Sequence, residues 1–410
     1  MKKNKRTDTR KVWLTAALSA ATACGTLAYE VPLTYFGTNM PPLDFHGFAS
    51  QGLLYSSDYD YLVNDSKSGS LKFTEAGFNV AVNPFPRTRI TAQIFTFDVG
   101  KVGQYDVVLD YASAEYTFSD YFAVRGGRVR RPSGIYNSIQ DIDLARTSVL
   151  LPQGIYDARW RDFSGTIDGG EIFGSFPLGK SGSLSYEAYI GVVNMENNGG
   201  VARNIQNGLP PAPYGSLIGI DQTLIYGSQF WYNTPLTGLR LGVSAGYFQD
   251  FGYTVTVPLP PTYAKGAIHS VGNIPFQQYS IEYQVKSWTF QAEYFSYNLT
   301  GHQYVYNHAI GSANANPDSW YAGASYRFNK WFEVGTYYNE YYGNVHDRGN
   351  SLQYQKDLAL SLRFDPKDWW IFKVEGHYIH GTGLLNDNAD NPVQTSDGWF
   401  MLAVKTTVSF

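Results

Sequence analysis

The feature that most constrains this chain is a two-residue alternation of apolar and polar side chains that recurs about sixteen times, the signature of strands with two unlike faces. The stretches lie near residues 45–56, 73–82, 88–98, 106–118, 121–129, 163–176, 183–194 and 223–233, then 239–249, 276–285, 288–298, 319–328, 331–341, 355–364, 369–380 and 398–410. What separates them is equally constraining. Short turns rich in Pro, Gly, Asn, Asp and Ser fall at 83–87, 119–120, 177–182, 234–238, 286–287, 329–330 and 365–368. The intervening connections are mostly long: 130–162, 195–222, 250–275, 299–318, 342–354 and 381–397. A soluble sandwich has no cause to alternate loop length along its whole course. A closed antiparallel barrel crossing a bilayer does, because its turns collect at one rim and its long loops at the other.

Composition agrees. The chain has 33 Tyr, 25 Phe and 9 Trp, yet its mean hydropathy is -0.28. A barrel needs apolar residues on one strand face only, with aromatic girdles at the two interfaces, so it is aromatic and hydrophilic together. Beyond the N-terminus no apolar run reaches the length of a helical span, which excludes a helical membrane protein. The expected fold is therefore all-β: a transmembrane antiparallel β-barrel with short periplasmic turns and long external loops.

Charge decides which face meets lipid. In residues 239–247, Leu239, Leu241, Val243, Ala245 and Tyr247 alternate with Arg240, Gly242, Ser244 and Gly246. Leu358, Leu360, Leu362 and Phe364 alternate with Asp357, Ser361 and Arg363, and Phe372 and Val374 with Lys373 and Glu375. An Arg or Lys facing lipid at the midplane costs about 2–4 kcal/mol, and a one-residue slip would turn these charges outward. The polar parity is expected to line a wetted interior. Its charged members include Arg125, Arg240, Glu282, Glu293, Arg327, Arg363, Lys373, Glu375 and Lys405, the candidate pore wall. With both signs present, the wall alone sets no ion preference.

The N-terminus gives an address. Six basic residues up to Lys11 precede a short apolar run, VWLTAALSAATA, and then small residues. This reads as a secretory signal peptide, residues 1–28, with cleavage after Ala28 preferred over Ala23. Cys24 raises the rival reading of a lipoprotein, although the leucine usual before an acylated cysteine is missing. Loss of six basic residues and Asp8 takes the formal charge from -4 to -9. An acidic chain is a poor nucleic-acid partner. Residues 29–410 read as one barrel domain.

The connection at 130–162 (RRPSGIYNSIQDIDLARTSVLLPQGIYDARWRD) has more aliphatic residues than a solvated loop needs. It is expected to fold into the barrel as a constriction, with Asp141 and Asp143 opposed to Arg146, Arg159 and Arg161. Opposed charges across a narrow lumen screen solutes by size, charge and polarity. The alternative is an external loop packed on a neighbour. With a terminal Phe, the pattern resembles the Gram-negative trimeric porins of sixteen strands. The stretch GGRVRRPSGIYN, residues 126–137, also resembles the strand-to-loop passage of a porin family that includes phosphate-selective and dicarboxylate-type channels. The resemblance implies a homotrimeric diffusion channel in the outer membrane and supplies no substrate.

Other chemistry finds little support. His377 and His380 lie on opposite strand faces, which disfavours a shared metal. No Gly-x-Ser-x-Gly elbow suggests a hydrolase, and Asp387, Asp390 and Asp397 read as a solvated acidic loop. No enzyme activity, cofactor or metal is expected. The expected function is passive diffusion of small hydrophilic solutes. Alternatives are a channel preferring anions or dicarboxylates, and an adhesin, receptor or structural barrel. Phe400, Leu402, Val404, Thr406, Val408 and Phe410 share one parity of the final strand. Val404, Val408 and Phe410 thus resemble the signal read by the barrel-assembly machinery, and the same strand must close the barrel in lipid.

Overall fold

The computed structural model describes residues 29–31, 34–35, 38–39, 41–100, 102–197, 199–210, 214–259, 264–385, 391 and 397–410. The expected signal peptide with Cys24, and Asp387 and Asp390, lie outside the described residues. Sixteen strands form the wall: β1 (Leu43–Ser56), β2 (Ser70–Val82), β3 (Thr88–Val99), β4 (Val107–Ser119), β5 (Phe122–Arg130), β6 (Thr166–Pro177), β7 (Ser183–Val193) and β8 (Thr223–Asn233) make the first half. The second half is β9 (Leu239–Leu259), β10 (Ala264–Val285), β11 (Trp288–Tyr297), β12 (Asp318–Asn329), β13 (Phe332–Tyr342), β14 (Tyr354–Lys367), β15 (Trp370–His380) and β16 (Gly398–Ser409). Each pairs antiparallel with the next, and β16 pairs with β1, so the sheet closes. In hydrocarbon this closure is obligatory, because an open edge would leave unpaired backbone groups.

The closing register is tight. Gly47 and Phe410 exchange both backbone hydrogen bonds. A Cβ on Gly47 would lie 2.5 Å from the Phe410 ring, so glycine is the residue that admits the terminal aromatic there.

The parity inferred from charge is the parity observed. On β16, Phe400 and Leu402 are exposed at the outer surface, whereas Met401, Ala403 and Lys405 are buried inside. On β14, Leu358 and Leu360 face out and Asp357, Ser361 and Arg363 face in. Neighbouring strands keep these sets in register: Leu362 opposes Val374, and Arg363 opposes Lys373.

Two expected loops contain strand. The segments at 250–275 and 299–318 read as long connections in the sequence. Instead β9 and β10 run on as one long hairpin past the long-loop rim. The strand Ser216–Ile220 flanks it on β9. On the other side, Leu299–Val305 pairs with β10 and with His308–Ala315. The cause is visible in Tyr253, Val255 and Val257, which alternate with Thr254 and Thr256. Neighbouring Pro, Gly and Asn obscured that alternation. Irregular backbone is also avoided here because each segment finds a strand partner.

Loops fill much of the inside near the long-loop rim. Tyr59, Tyr61 and Val63 from the first loop pack with Val149 and Leu150 and with Leu384, Leu385 and Trp399. The helix α2 (Gly200–Asn207) supplies Val201 to a second cluster with Phe248, Phe251 and Phe276. Part of the interior expected to be wetted is thus packed with apolar side chains.

The parity has a measurable consequence. Leu360→Arg, on the lipid face, should destabilise the barrel by about 2–4 kcal/mol in denaturant titrations in lipid vesicles. Thr117→Arg, on the inner face of β4 opposite Ala123, should cost far less. Equal costs would contradict the assignment of faces.

Candidate functional site: a loop seated across the lumen

The connection between β5 and β6 leaves the wall at Arg130, crosses the lumen and returns at Thr166. It carries the short helix α1 (Arg161–Ser164). Its path is fixed by polar side chains on nearly every side of the barrel.

Ser133 and Gly134 dock first. The Ser133 hydroxyl donates to Gln278 on β10 at 2.7 Å. The Gly134 N–H donates to Ser244 on β9 at 3.1 Å, and its carbonyl accepts from Gln229 on β8 at 2.8 Å. Gly134 has φ +59°, and a Cβ there would strike Gln278 and Tyr156. The glycine of the Pro-x-Gly motif is therefore required on two counts: a left-handed backbone and a close approach to the wall. Glu293 on β11 then accepts from the Ile135 N–H at 2.9 Å and from the hydroxyls of Tyr156, Ser280 and Tyr321.

The chain next swings to β3 and β4. Asp141 accepts from Arg130 at 2.6 and 2.9 Å and from Gln93 at 3.0 Å. Asp110 on β4 binds Arg130 at 2.9 Å and Arg161 at 2.7 Å. Asp143 is held by Arg146 at 2.8 Å, Lys405 at 2.8 Å and Thr407 at 2.7 Å. Lys405 also pairs with Glu75. Arg159 pairs with Asp157 at 2.6 Å and donates to the Leu384 carbonyl at 3.0 Å.

From 144 to 150 the loop lies on β13–β15. Thr147 donates to Glu333. Arg363 donates to the carbonyls of Leu144 (2.8 Å) and Arg146 (3.1 Å). Lys373 donates to the carbonyls of Asp143 (2.7 Å), Arg146 (2.8 Å) and Ser148 (2.9 Å). Glu375 accepts from the N–H groups of Val149 (2.9 Å) and Leu150 (2.8 Å).

One arrangement on the wall explains why the loop sits there. Arg363, Lys373 and Lys405 are direct cross-strand neighbours. Like charges opposite one another destabilise a sheet. Here the loop's carbonyls and the Asp143 carboxylate cover them, and Lys373 and Lys405 are each only 1% exposed. The basic row is a seat for the loop.

The expected constriction residues are all brought inside the barrel. The acids and bases are arranged as ion pairs, with Asp141 and Asp143 each enclosed by cations. Burial pushes the Asp141 and Asp143 carboxyls up. Arg130 and Arg161 beside Asp141, and Lys405, Arg146 and Lys373 beside Asp143, more than offset it, so both are held well below the usual carboxylate range. Among the wall residues, Glu293, Arg363, Lys373, Glu375 and Lys405 lie beneath the loop. Arg125, Arg240 and Arg327 keep side-chain exposures of 27, 29 and 37%. They line the vestibule on the short-turn side, paired respectively with Glu115 and Glu171, Glu282, and Glu333 and Asp365. Sequence reasoning missed Gln93, Asp110, Asn339 and the role of His377. Gln93, Asn339 and His377 carried the signal of a polar residue on the inner parity. Asp110 turns inward at a register shift between β3 and β4, which alternation cannot reveal.

A second contact ties this loop to its neighbour. The Asp162 carboxylate lies against the start of α2, where a Cβ on Gly199 would come within 2.1 Å of it. Burial pushes this carboxyl up to about 7, against the opposing pull of the Val201 N–H.

No family model matches the chain, and no curated protein sequence matches it. Solved structures do. An outer membrane protein of Vibrio cholerae, OmpT in its trimer form, matches with a TM-score of 0.55 at 11% identity, covering 90% of this chain and 99% of that one. The anion-selective porin from Comamonas acidovorans matches at 0.54 and 11%, covering 90% and 99%. The outer membrane channel DcaP of Acinetobacter baumannii matches at 0.52 and 11%, covering 93% and 100%. The fold is that of the sixteen-stranded outer-membrane porins.

Asp162 sets a pH dependence. An acid whose carboxyl is raised in the folded contact costs stability once ionised. The contact should be firmest below the unfolded value near 3.8 and weaken as pH rises to about 7, with no further change above. Hydrogen exchange across 199–207 should accelerate over that window, and Asp162→Asn should remove the dependence. Exchange that slows as pH rises, after correction for intrinsic rates, would refute it.

Proposed function

We propose that this chain is an outer-membrane porin through which small hydrophilic solutes diffuse, with residues 130–162 as its constriction. The observation that carries this reading is the loop itself, seated inside a closed barrel and hydrogen-bonded to opposite walls. A structural barrel has no need of a loop anchored at mid-lumen, whereas a sieve does. The charged vestibule at Arg125, Arg240 and Arg327 fits the passage of hydrated solutes. An outer-membrane location, export by a signal peptide at 1–28, insertion by the barrel-assembly machinery through Val404, Val408 and Phe410, and contact with lipid complete the reading.

Preference for anions or dicarboxylates has weaker support. The arginines that would favour it are largely neutralised: Arg125, Arg128, Arg130, Arg146, Arg159 and Arg161 each pair with a carboxylate. Little net positive field is left for a solute. The hairpin of residues 299–315, which flanks the projecting part of β10 and leaves Tyr306 84% exposed, favours a receptor or adhesin as the reading from another class.

Purified protein in planar bilayers should give discrete conductance steps, and deletion within 132–152 should enlarge them. Absence of steps would sink the porin and leave the receptor. Unchanged steps after deletion would remove the loop from the constriction. The reversal potential in a salt gradient then gives the sign of selectivity.

A homotrimer is also part of the proposal. Part of the outer surface of β3–β6 carries only small side chains: Ala92 opposes Ala112, and Ala114, Gly126 and Gly170 form one row across three strands, bordered by Ile90, Ile94 and Ile172. A Cβ on Gly126 would meet nothing nearer than 3.9 Å, so crowding within the chain does not account for the glycine. Contact with another copy would. Gly126→Trp should abolish a heat-sensitive high-mass band on mild-detergent gels while the barrel stays folded; persistence of the band would move the interface elsewhere.

A further inference from the structure

We infer that His377 is a positioning residue for the constriction, acting through Glu375. This rests on the reading of residues 130–162 as the constriction. His377 is buried on the inner face of β15. Its Nδ1 lies 2.9 and 3.1 Å from the two oxygens of Asp357, and its Nε2 lies 3.0 Å from Glu375. Both ring nitrogens therefore face carboxylates. A ring that donates from both positions satisfies both neighbours.

The consequence falls on Glu375. Each of its oxygens accepts one loop N–H: Leu150 on the oxygen that also faces His377, Val149 on the oxygen that also accepts from Ser361. This is the wall's only carboxylate grip on two successive loop amides among the described residues. A carboxylate carrying that load must hold one rotamer. Ser361 fixes one oxygen and His377 the other. Asp357 never reaches the loop; it holds the far edge of the ring. Without the imidazole, Asp357 and Glu375 would share a dry site with no donor between them, and the repulsion would turn Glu375 away from the loop. The Tyr337 ring, edge-on to His377 at 6.1 Å, closes the site from β13. The seat thus has two unlike halves. Lys373 and Arg363 hold the loop's carbonyls, and Glu375, aimed by His377, holds its amides.

The test reads loop position directly, so it does not depend on conductance. Val149→Cys places a thiol at a residue 1% exposed in the seated loop. Ala123→Cys places one at a buried inner-wall position on β5, away from the loop. The native Cys24 is replaced by Ser in both. Labelling by a maleimide reagent is timed in each background with His377, His377→Leu, His377→Gln and Asp357→Asn. Loss of the grip should speed labelling at 149 about tenfold in His377→Leu, the scale of one or two buried hydrogen bonds. His377→Gln, with one donor edge, should fall between, and Asp357→Asn should shift the rate in the same direction by less. Labelling at 123 should not change. Equal acceleration at 149 and 123 would mean a merely structural histidine and overturn the proposal, as would an unchanged rate at 149 in folded His377→Leu. Heat-modifiable gel mobility identifies folded protein. Should His377→Leu not fold, the Gln and Asn variants carry the decision. If the porin reading fails, bilayers show no steps while the labelling result still stands or falls by itself.

Discussion

Every backbone group in the hydrocarbon layer must find a partner within the protein, and most of this structure follows from that. The pairing of β16 with β1 leaves no edge in lipid. Closure fixes strand parity, because a sheet closed in one register has one set of side chains outside and the other within. Lipid then selects which set is apolar. The charges of Arg363, Lys373 and Lys405 are confined to the inside by this rule, and their crowding there is its by-product.

That crowding creates the seat of the loop. Three cations side by side on adjacent strands are unstable unless something covers them. The segment 143–150 does so with main-chain carbonyls and one carboxylate. Burying a charge is costly unless it is paired and hydrogen-bonded. The lysine buried at 373 makes three such bonds. Removing the loop would expose the row, and removing the row would leave the loop's carbonyls unpaired. Barrel wall and loop are thus parts of one polar network, and the apolar cluster around Tyr61, Leu150 and Trp399 seals it from above.

The sixteen barrel strands were legible in the sequence because lipid imposes a strict period. Boundaries such as 223–233 and 398–410 needed almost no change. The loop's inward fold was legible from Ile135, Val149 and Leu151, whose aliphatic side chains had to pack somewhere. Its detailed chemistry was not. Asp141 and Asp143 looked like one wall of an open field, but the sequence gives no sign that Arg130 and Lys405 enclose them. Those partners are separated from them by 11 and 262 positions, and only closure brings the distant one near. The projecting hairpin escaped because its alternation, at Tyr253, Val255 and Val257, lies beyond the membrane, where no lipid sharpens the pattern. His377 lies on the inner parity, but nothing in the local pattern shows that Asp357, twenty positions away on the neighbouring strand, faces its other edge.

The contact between Gly47 and Phe410 bears on how the molecule comes into being. The Phe410 ring, just past β16, fills the space that glycine leaves on β1. These two strands are the first and the sixteenth of the wall in chain order, so until β16 is in place the cylinder has a seam. A sheet with that seam open has two unpaired edges, which hydrocarbon does not tolerate. Entry into lipid and closure therefore have to go together.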